Sequence, residues 1–193
     1  MTDLHDEPVD VEIVESDVVY EGRVWDVRSD TVRYGDGEIV RQYVDHPGAA
    51  AIVAIDDDDR VLLIQQYRHP IRHRDWEIPA GLLDVAGESP LESARRELAE
   101  EADLAASSWE PLVSIFTTPG GNDEVVHLFL ARGLSSLADA HPREDEEADI
   151  RIEWVALTDA VAGVLAGRLR NGILAVGVLG AAERLRAETS TGR

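Results

Sequence analysis

The sequence predicts an α/β (α+β) domain, a layered arrangement of sheets and helices, preceded by a small N-terminal antiparallel β domain. Short β-branched and apolar runs alternate with a few capped stretches of helical period, a mixture that suits neither a bundle nor a pure sandwich. The chain has 193 residues, enough for one domain of ordinary size with a small appendage, and it can bury a core without disulfides.

The elements follow in chain order. Residues 1–10 are polar and acidic and read as a disordered tail. Residues 11–45 form the N-terminal β domain, strand-like from Glu12 to Val44, with a turn at Gly35-Asp36-Gly37 between two extended runs. Residues 46–193 form the second domain. Its first strand, Ala49–Ile55, is continuously apolar, as a strand buried on both faces is. Asp56–Asp59 reads as an acidic hairpin tip in preference to a calcium site, and Val61–Gln65 as the returning strand. The first helix starts at Ser89, where Ser89-Pro90-Leu91-Glu92 has the pattern of a capping box; Leu91, Ala94, Leu98 and Ala102 make its apolar stripe. Strands are predicted at Pro111–Phe116, Val125–Leu130 and Ile152–Leu157. A helix follows from Thr158 to about Leu169, and another at Leu174–Arg186.

Composition excludes several chemistries. There is no cysteine, so disulfides, thiolate zinc sites and cysteine nucleophiles are absent. All 18 basic residues are arginine, which rules out a P-loop lysine or a Schiff base. A formal net charge of −21 opposes duplex nucleic acid and anionic membrane as partners. No apolar stretch is long enough to span a membrane, and the acidic start is unlike a signal peptide. The expectation is a soluble cytoplasmic protein.

The informative stretch runs from Gly81 to Leu104. Glu97, Glu100 and Glu101 stand three and four positions apart and project from one side of the helix. Like charges at that spacing destabilise a helix by a few tenths of a kcal/mol each. They lie beyond the first turn, where the helix dipole gives them no help. Two readings stay open on spacing alone. One is a solvated acidic face, partly offset by Arg95 and Arg96. The other is a site for a hard divalent cation completed by substrate phosphates.

Glu88, seven residues, and then Arg96-Glu97-Leu98-Ala99-Glu100-Glu101, with Leu104 in the last aliphatic place, resembles the Nudix box, G-x5-E-x7-R-E-U-x-E-E-x-G-U. Two departures stand out. Six residues, not five, separate Gly81 from Glu88, and Asp103 replaces the second glycine. The extra residue falls in a loop, and Asp tolerates the left-handed conformation that a helix C-terminus requires. The resemblance implies a Nudix α/β/α sandwich with a mixed sheet. It also implies Glu97 and Glu101 as principal metal ligands, Glu100 facing the metals and the Ala80 carbonyl as a further ligand. Glu88 and Arg96 would pair with each other. The implied cofactor is Mg²⁺, with Mn²⁺ as the alternative.

Three further features resemble the ADP-ribose pyrophosphatase branch. They are Trp76-Glu77-Ile78-Pro79-Ala80-Gly81 before the box, Pro119 fifteen positions after Leu104, and Gln65-Gln66-Tyr67-Arg68. On this resemblance Arg68 contacts a phosphate or the terminal ribose, although a surface ion pair fits it equally. Trp76 borders the nucleotide or belongs to the core. Pro119 and Glu124 lie at the substrate. Glu147, or Glu146 beside it, supplies the catalytic base from the acidic run 143–149. His69 and His73 are read as loop residues. The branch implies a homodimer, its N-terminal β domain exchanged between copies. The activity implied is metal-dependent hydrolysis of ADP-ribose to AMP and ribose 5-phosphate. The alternatives are another nucleoside diphosphate derivative, such as a nucleotide-sugar or dinucleoside polyphosphate, and a non-catalytic ADP-ribose-sensing module.

Overall fold

The computed structural model describes residues 3–138 and 150–190, and the backbone clusters into two units. One comprises the chain up to His46 together with Thr118–Glu124; the other comprises Pro47–Thr117 and the chain from Val125 onward.

The first unit is a three-stranded antiparallel sheet, β1 (Ile13–Tyr20), β2 (Asp26–Tyr34) and β3 (Gly37–Asp45), in the order β1-β2-β3. The turn between β2 and β3 falls at the glycine pair, with Gly35 at φ 61°. The sequence suggests two extended runs, whereas the structure has three strands. The first run breaks at Glu21–Trp25, where the Gly22 amide bonds to the Asp26 carboxylate and turns the chain. Thr118–Glu124 falls within 46–193 by sequence but belongs to this unit. Val44 N–H donates to the Gly121 carbonyl at 3.0 Å, and His46 N–H donates to Asp123 Oδ1 at 2.8 Å.

In the second unit, β4 (Ala49–Ala54) is an interior strand of a mixed sheet. It pairs in parallel with β9 (Val125–Ser136) and antiparallel with β7 (Ala80–Leu82), and β8 (Leu104–Phe116) closes the far edge beside β9. A second, antiparallel sheet has the order β10-β5-β6, formed by β5 (Arg60–Arg68), β6 (His73–Glu77) and β10 (Arg151–Ala156). Among the described residues, three α-helices complete the unit: α1 (Pro90–Ala102), α2 (Leu157–Leu165) and α3 (Gly172–Ser190).

Strand alternation divides the core in two. Ala51 and Val53 of β4, with Ile55 just after it, pack with Leu63, Leu128, Leu174 and Val178, on the side of α2 and α3. Ala50, Ile52 and Ala54 pack with Ala94 and Leu98 of α1, together with Leu62 and Phe129. Every residue of β4 is therefore buried, which explains an apolar run that does not alternate. Fully burying side chains such as Ile52 and Leu98 contributes about 1.5–3 kcal/mol each.

The predicted hairpin at Asp56–Asp59 is corrected. Only the bridge between Ile55 and Val61 joins the two strands, and β5 then enters the second sheet. Both edges of β4 are already taken by β7 and β9, so β5 has no edge to return along. Asp56 instead holds the turn through its carboxylate, which accepts from the Asp58 and Arg60 amides. Strand β8 begins at Leu104, earlier than predicted. Its small polar residues signal a strand weakly, but they pair with β9 along their length, and Pro111 is tolerated because β8 is an edge strand. Helix α2 stops at Leu165, short of Leu169, because Gly167 at φ 69° reverses the chain and the Arg168 and Leu169 amides bond back to Gly163. Helix α3 continues to Ser190.

Candidate active site

Helix α1 is set by its N-terminus. The Ser89 hydroxyl accepts from the Glu92 amide, and the Glu92 carboxylate accepts from the Ser89 amide at 2.8 Å, a complete capping box with Pro90 at the first helical position. The Ser89 hydroxyl and the Ser89 amide both donate to the Glu92 carboxylate and hold it below its ordinary pKa. At the other end Asp103 takes the left-handed conformation, φ 55° and ψ 36°, and its amide caps Ala99. The loop ahead of the helix absorbs its additional residue in a turn, with Glu88 N–H bonded to the Val85 carbonyl.

With Ala94 and Leu98 turned into the core, the helical period carries Ser93, Glu97 and Glu101 to the side that meets β7. Ser93 Oγ reaches the Leu82 carbonyl. Glu97 lies against Gly81 so closely that a methyl group there would stand 1.9 Å from its carboxylate. Glu101, 5% exposed, accepts from the Ala80 amide at 2.9 Å. The two principal ligand candidates therefore rest on adjacent residues of β7, and a side chain at the box glycine would have to displace the Glu97 carboxylate.

Arg96 gathers the remaining carboxylates. Its Nε and Nη2 donate to Glu88 at 3.1 and 3.0 Å, while Nη1 donates to Glu97 and, at 3.1 Å, to Glu100. The hydrogen bonds it donates to Glu88 keep the guanidinium above its ordinary pKa, against the opposing effect of burial. Among the described residues, no three His, Cys, Asp or Glu side chains are gathered at metal-binding distance, because Arg96 draws Glu97 and Glu100 while Glu101 bonds to Ala80. The donors nevertheless suit a hard cation. They are oxygen ligands on one side of one helix, and one of them is a buried carboxylate that a cation would compensate.

The other predicted residues are distributed as follows. Arg68 is held bidentately by Glu77, with Nε and Nη2 at 2.7 and 2.8 Å, and Gln66 donates to the same carboxylate at 3.3 Å. Glu77 is buried and the Arg68 side chain is 43% exposed, so the fork is anchored at its base with one edge toward solvent. Trp76 lies on the opposite face of β6 from Glu77. It packs, partly buried, against the cluster under α2 and α3. Pro119 and Glu124 belong to the first unit; Pro119 is in the turn closed by Thr118, and Glu124 faces His46 Nδ1 at 3.6 Å. Glu146 and Glu147 lie outside the described residues.

Sequence reasoning missed Glu77 as the anchor of Arg68 and missed the close contact of Gly81 with Glu97. The first depends on the register between β5 and β6, which brings Glu77 beside Arg68. The second depends on how α1 docks and had no local signal.

Comparison with known proteins gives the same assignment. Residues 45–174 match the NUDIX domain model. The ADP-ribose pyrophosphatase of Mycobacterium tuberculosis is 44% identical over 173 residues, spanning 88% of this chain and 82% of that protein. The protein of the same name from Bacillus subtilis is 35% identical over 144 residues, 74% of this chain and 77% of the other. The methanol dehydrogenase activator of Bacillus methanolicus is 37% identical over 135 residues, 69% and 72% of the two chains. A solved structure described as an ADP compounds hydrolase shares the fold, with a TM-score of 0.78 over 95% of this chain and 98% of that one at 20% identity. The helix that carries Glu97 and Glu101 to β7 lies within the matched span, and the chain belongs to the Nudix family of hydrolases.

Proposed function

We propose that this enzyme hydrolyses the pyrophosphate of ADP-ribose, giving AMP and ribose 5-phosphate, with Mg²⁺ or Mn²⁺ as cofactor. The observation that carries the reading is the seating of Glu97 and Glu101 on the Gly81 and Ala80 backbone. The relatives named as ADP-ribose pyrophosphatases support the choice of substrate.

Glu97, Glu100, Glu101 and the Ala80 carbonyl would hold the cation, with Arg96 yielding Glu97 and Glu100 to it. When bound, the cation neutralises pyrophosphate charge and eases deprotonation of the attacking water. Water attacks one phosphorus, the bridging P–O bond breaks, and each half leaves as a phosphomonoester. Glu147 or Glu146 takes the proton from water. Arg68, kept in one orientation by Glu77, offers its exposed edge to a phosphate or the terminal ribose. Pro119 and Glu124 contribute to the substrate site.

The working assembly is a cytoplasmic homodimer. Its support is a sheet with little core of its own. Within β1, β2 and β3 only Asp30 is buried, and Ile13, Val14, Val18, Val19 and Tyr20 of β1 are all exposed. Light scattering in solution tests this, and a monomeric mass would refute it.

The activity is tested by incubating the protein with ADP-ribose, with and without Mg²⁺, and identifying products by chromatography. Metal-dependent AMP and ribose 5-phosphate are expected. Severalfold faster cleavage of ADP-glucose or ADP-mannose would overturn the substrate assignment. Glu101→Gln keeps an oxygen for the Ala80 amide and should fold normally, with turnover lowered by at least about 100-fold. Near-normal turnover would remove the metal assignment.

A further inference from the structure

The face of the second sheet that turns away from α1 carries a concavity outside the proposed chemistry. Gln65 of β5 is the register partner of both Trp76 on β6 and Arg151 on β10, so the three form one row on the face shared with Leu63 and Val155. Arg68, Glu77 and Ile152 lie on the other face. Above the row, α2 and the turn after it close a cavity of about 380 Å³, within the range of small-molecule sites. Leu63, Val155, Ala160 and Leu169 give it an apolar lining, Trp76 an aromatic wall, and Arg151 and Arg168 a cationic rim shared with Glu153 and Asp159.

The charge there runs against the composition. In a chain with 39 acidic residues and 18 arginines, two arginines line a cavity walled by one tryptophan. Among the described residues, neither is strongly committed. Arg151 pairs with Glu153 at 2.8 Å in an exposed geometry, the kind of pair that contributes little to stability and readily exchanges partners. Among the described residues, the Arg168 guanidinium makes no side-chain hydrogen bond or ion pair within bonding distance. The Arg151 guanidinium carbon stands 5.8 Å from the centre of the Trp76 ring, near the outer limit of cation–π contact. A planar ring between the two needs about 7 Å, two contacts of about 3.5 Å each. An exposed arginine that yields about 1 Å would complete that sandwich.

We propose that this cavity is a second, non-catalytic site for a nucleoside monophosphate. The base lies between Trp76 and Arg151, the phosphate meets Arg168, and the rim carboxylates of Glu153 and Asp159 accept from the ribose hydroxyls. The phosphate accepts from the planar guanidinium, a charge-assisted contact. The rim acids disfavour ligands with longer, more highly charged phosphate chains. The site does not rest on the substrate reading, although AMP is one product of that reaction, and occupancy would let the enzyme sense it.

The test is equilibrium dialysis of AMP against the full chain in EDTA, comparing wild type with Arg168→Glu, Trp76→Leu and Glu101→Gln. One AMP per chain is expected, weakened at least about tenfold by Arg168→Glu and by Trp76→Leu but unchanged by Glu101→Gln. Arg168 is an exposed turn residue, so its reversal should leave the melting temperature intact and the proposal testable even if Trp76→Leu folds poorly. Absence of AMP binding, or binding indifferent to Arg168→Glu, overturns the proposal. Binding lost only in Glu101→Gln places AMP at the catalytic centre and overturns it equally. Loss of ADP-ribose cleavage in an assay with normal AMP binding here would refute the substrate reading alone.

Discussion

Gly81→Ala separates the fold from the chemistry more sharply than loss of a ligand does. The added methyl would stand 1.9 Å from both Cδ and Oε1 of Glu97, so the carboxylate must retreat by about 1.5 Å to reach the 3.4 Å of ordinary contact. What gives way is the end of a flexible side chain, so the stability cost should be near the low end of overpacking, about 1 kcal/mol, or about 2–4 °C in melting temperature for a chain of this size. The catalytic cost is larger, because a displacement of about 1 Å in a positioned group costs on the order of 100-fold, equivalent to about 2.7 kcal/mol of barrier. The assay is initial-rate hydrolysis of ADP-ribose at saturating Mg²⁺, beside a thermal melt. Adding Glu97→Gln to Gly81→Ala should cost little more than Gly81→Ala alone, since both act on the same carboxylate. A folded Gly81→Ala protein with kcat/KM within about threefold of wild type would refute the idea that this contact sets Glu97 for catalysis.

Arg96→Met should lower the melting temperature in EDTA by several degrees, since it leaves Glu88, Glu97 and Glu100 without their shared partner at a cost of about 2 kcal/mol. Mg²⁺ should raise the melting temperature of this variant more than that of wild type, and an equal rise in both would argue against cation binding by the cluster. Gly177→Ala places a methyl 2.9 Å from Val53 Cγ2 and 3.0 Å from Ile78 Cδ1 in a closed core, so chemical denaturation should show a loss of about 1–3 kcal/mol. An unchanged midpoint would show that α3 can move off β4. Ser89→Ala should lower the melting temperature by a few degrees at neutral pH. Glu92 contributes stability that is present above its ordinary pKa of 4.5 and is lost as pH falls through its lowered folded value, so the gap between wild type and variant should narrow below pH 4.5. A gap that widens in acid would contradict the capping geometry.

Much of this enzyme is written locally. The capping box at Ser89, the left-handed Asp103 and the three-and-four spacing of Glu97, Glu100 and Glu101 depend on neighbours within a turn or two, so they can be read from residues 81–104 alone. The apolar run of β4 likewise announces burial on both faces. Its partners were not legible. Strand β5 abandons the expected hairpin because β7 and β9, distant in sequence, already occupy both edges of β4. Thr118–Glu124 joins the first unit through backbone bonds to Val44 and His46, and no local signal in a proline-glycine turn encodes those. By itself the sequence determined the helix and which carboxylates share its side, because those follow from a fixed rise and period. Only the tertiary structure decided that Glu97 rests on Gly81, that Glu77 anchors Arg68 and that Trp76 packs under α2 and α3, because docking depends on which surfaces remain open once the sheets have paired.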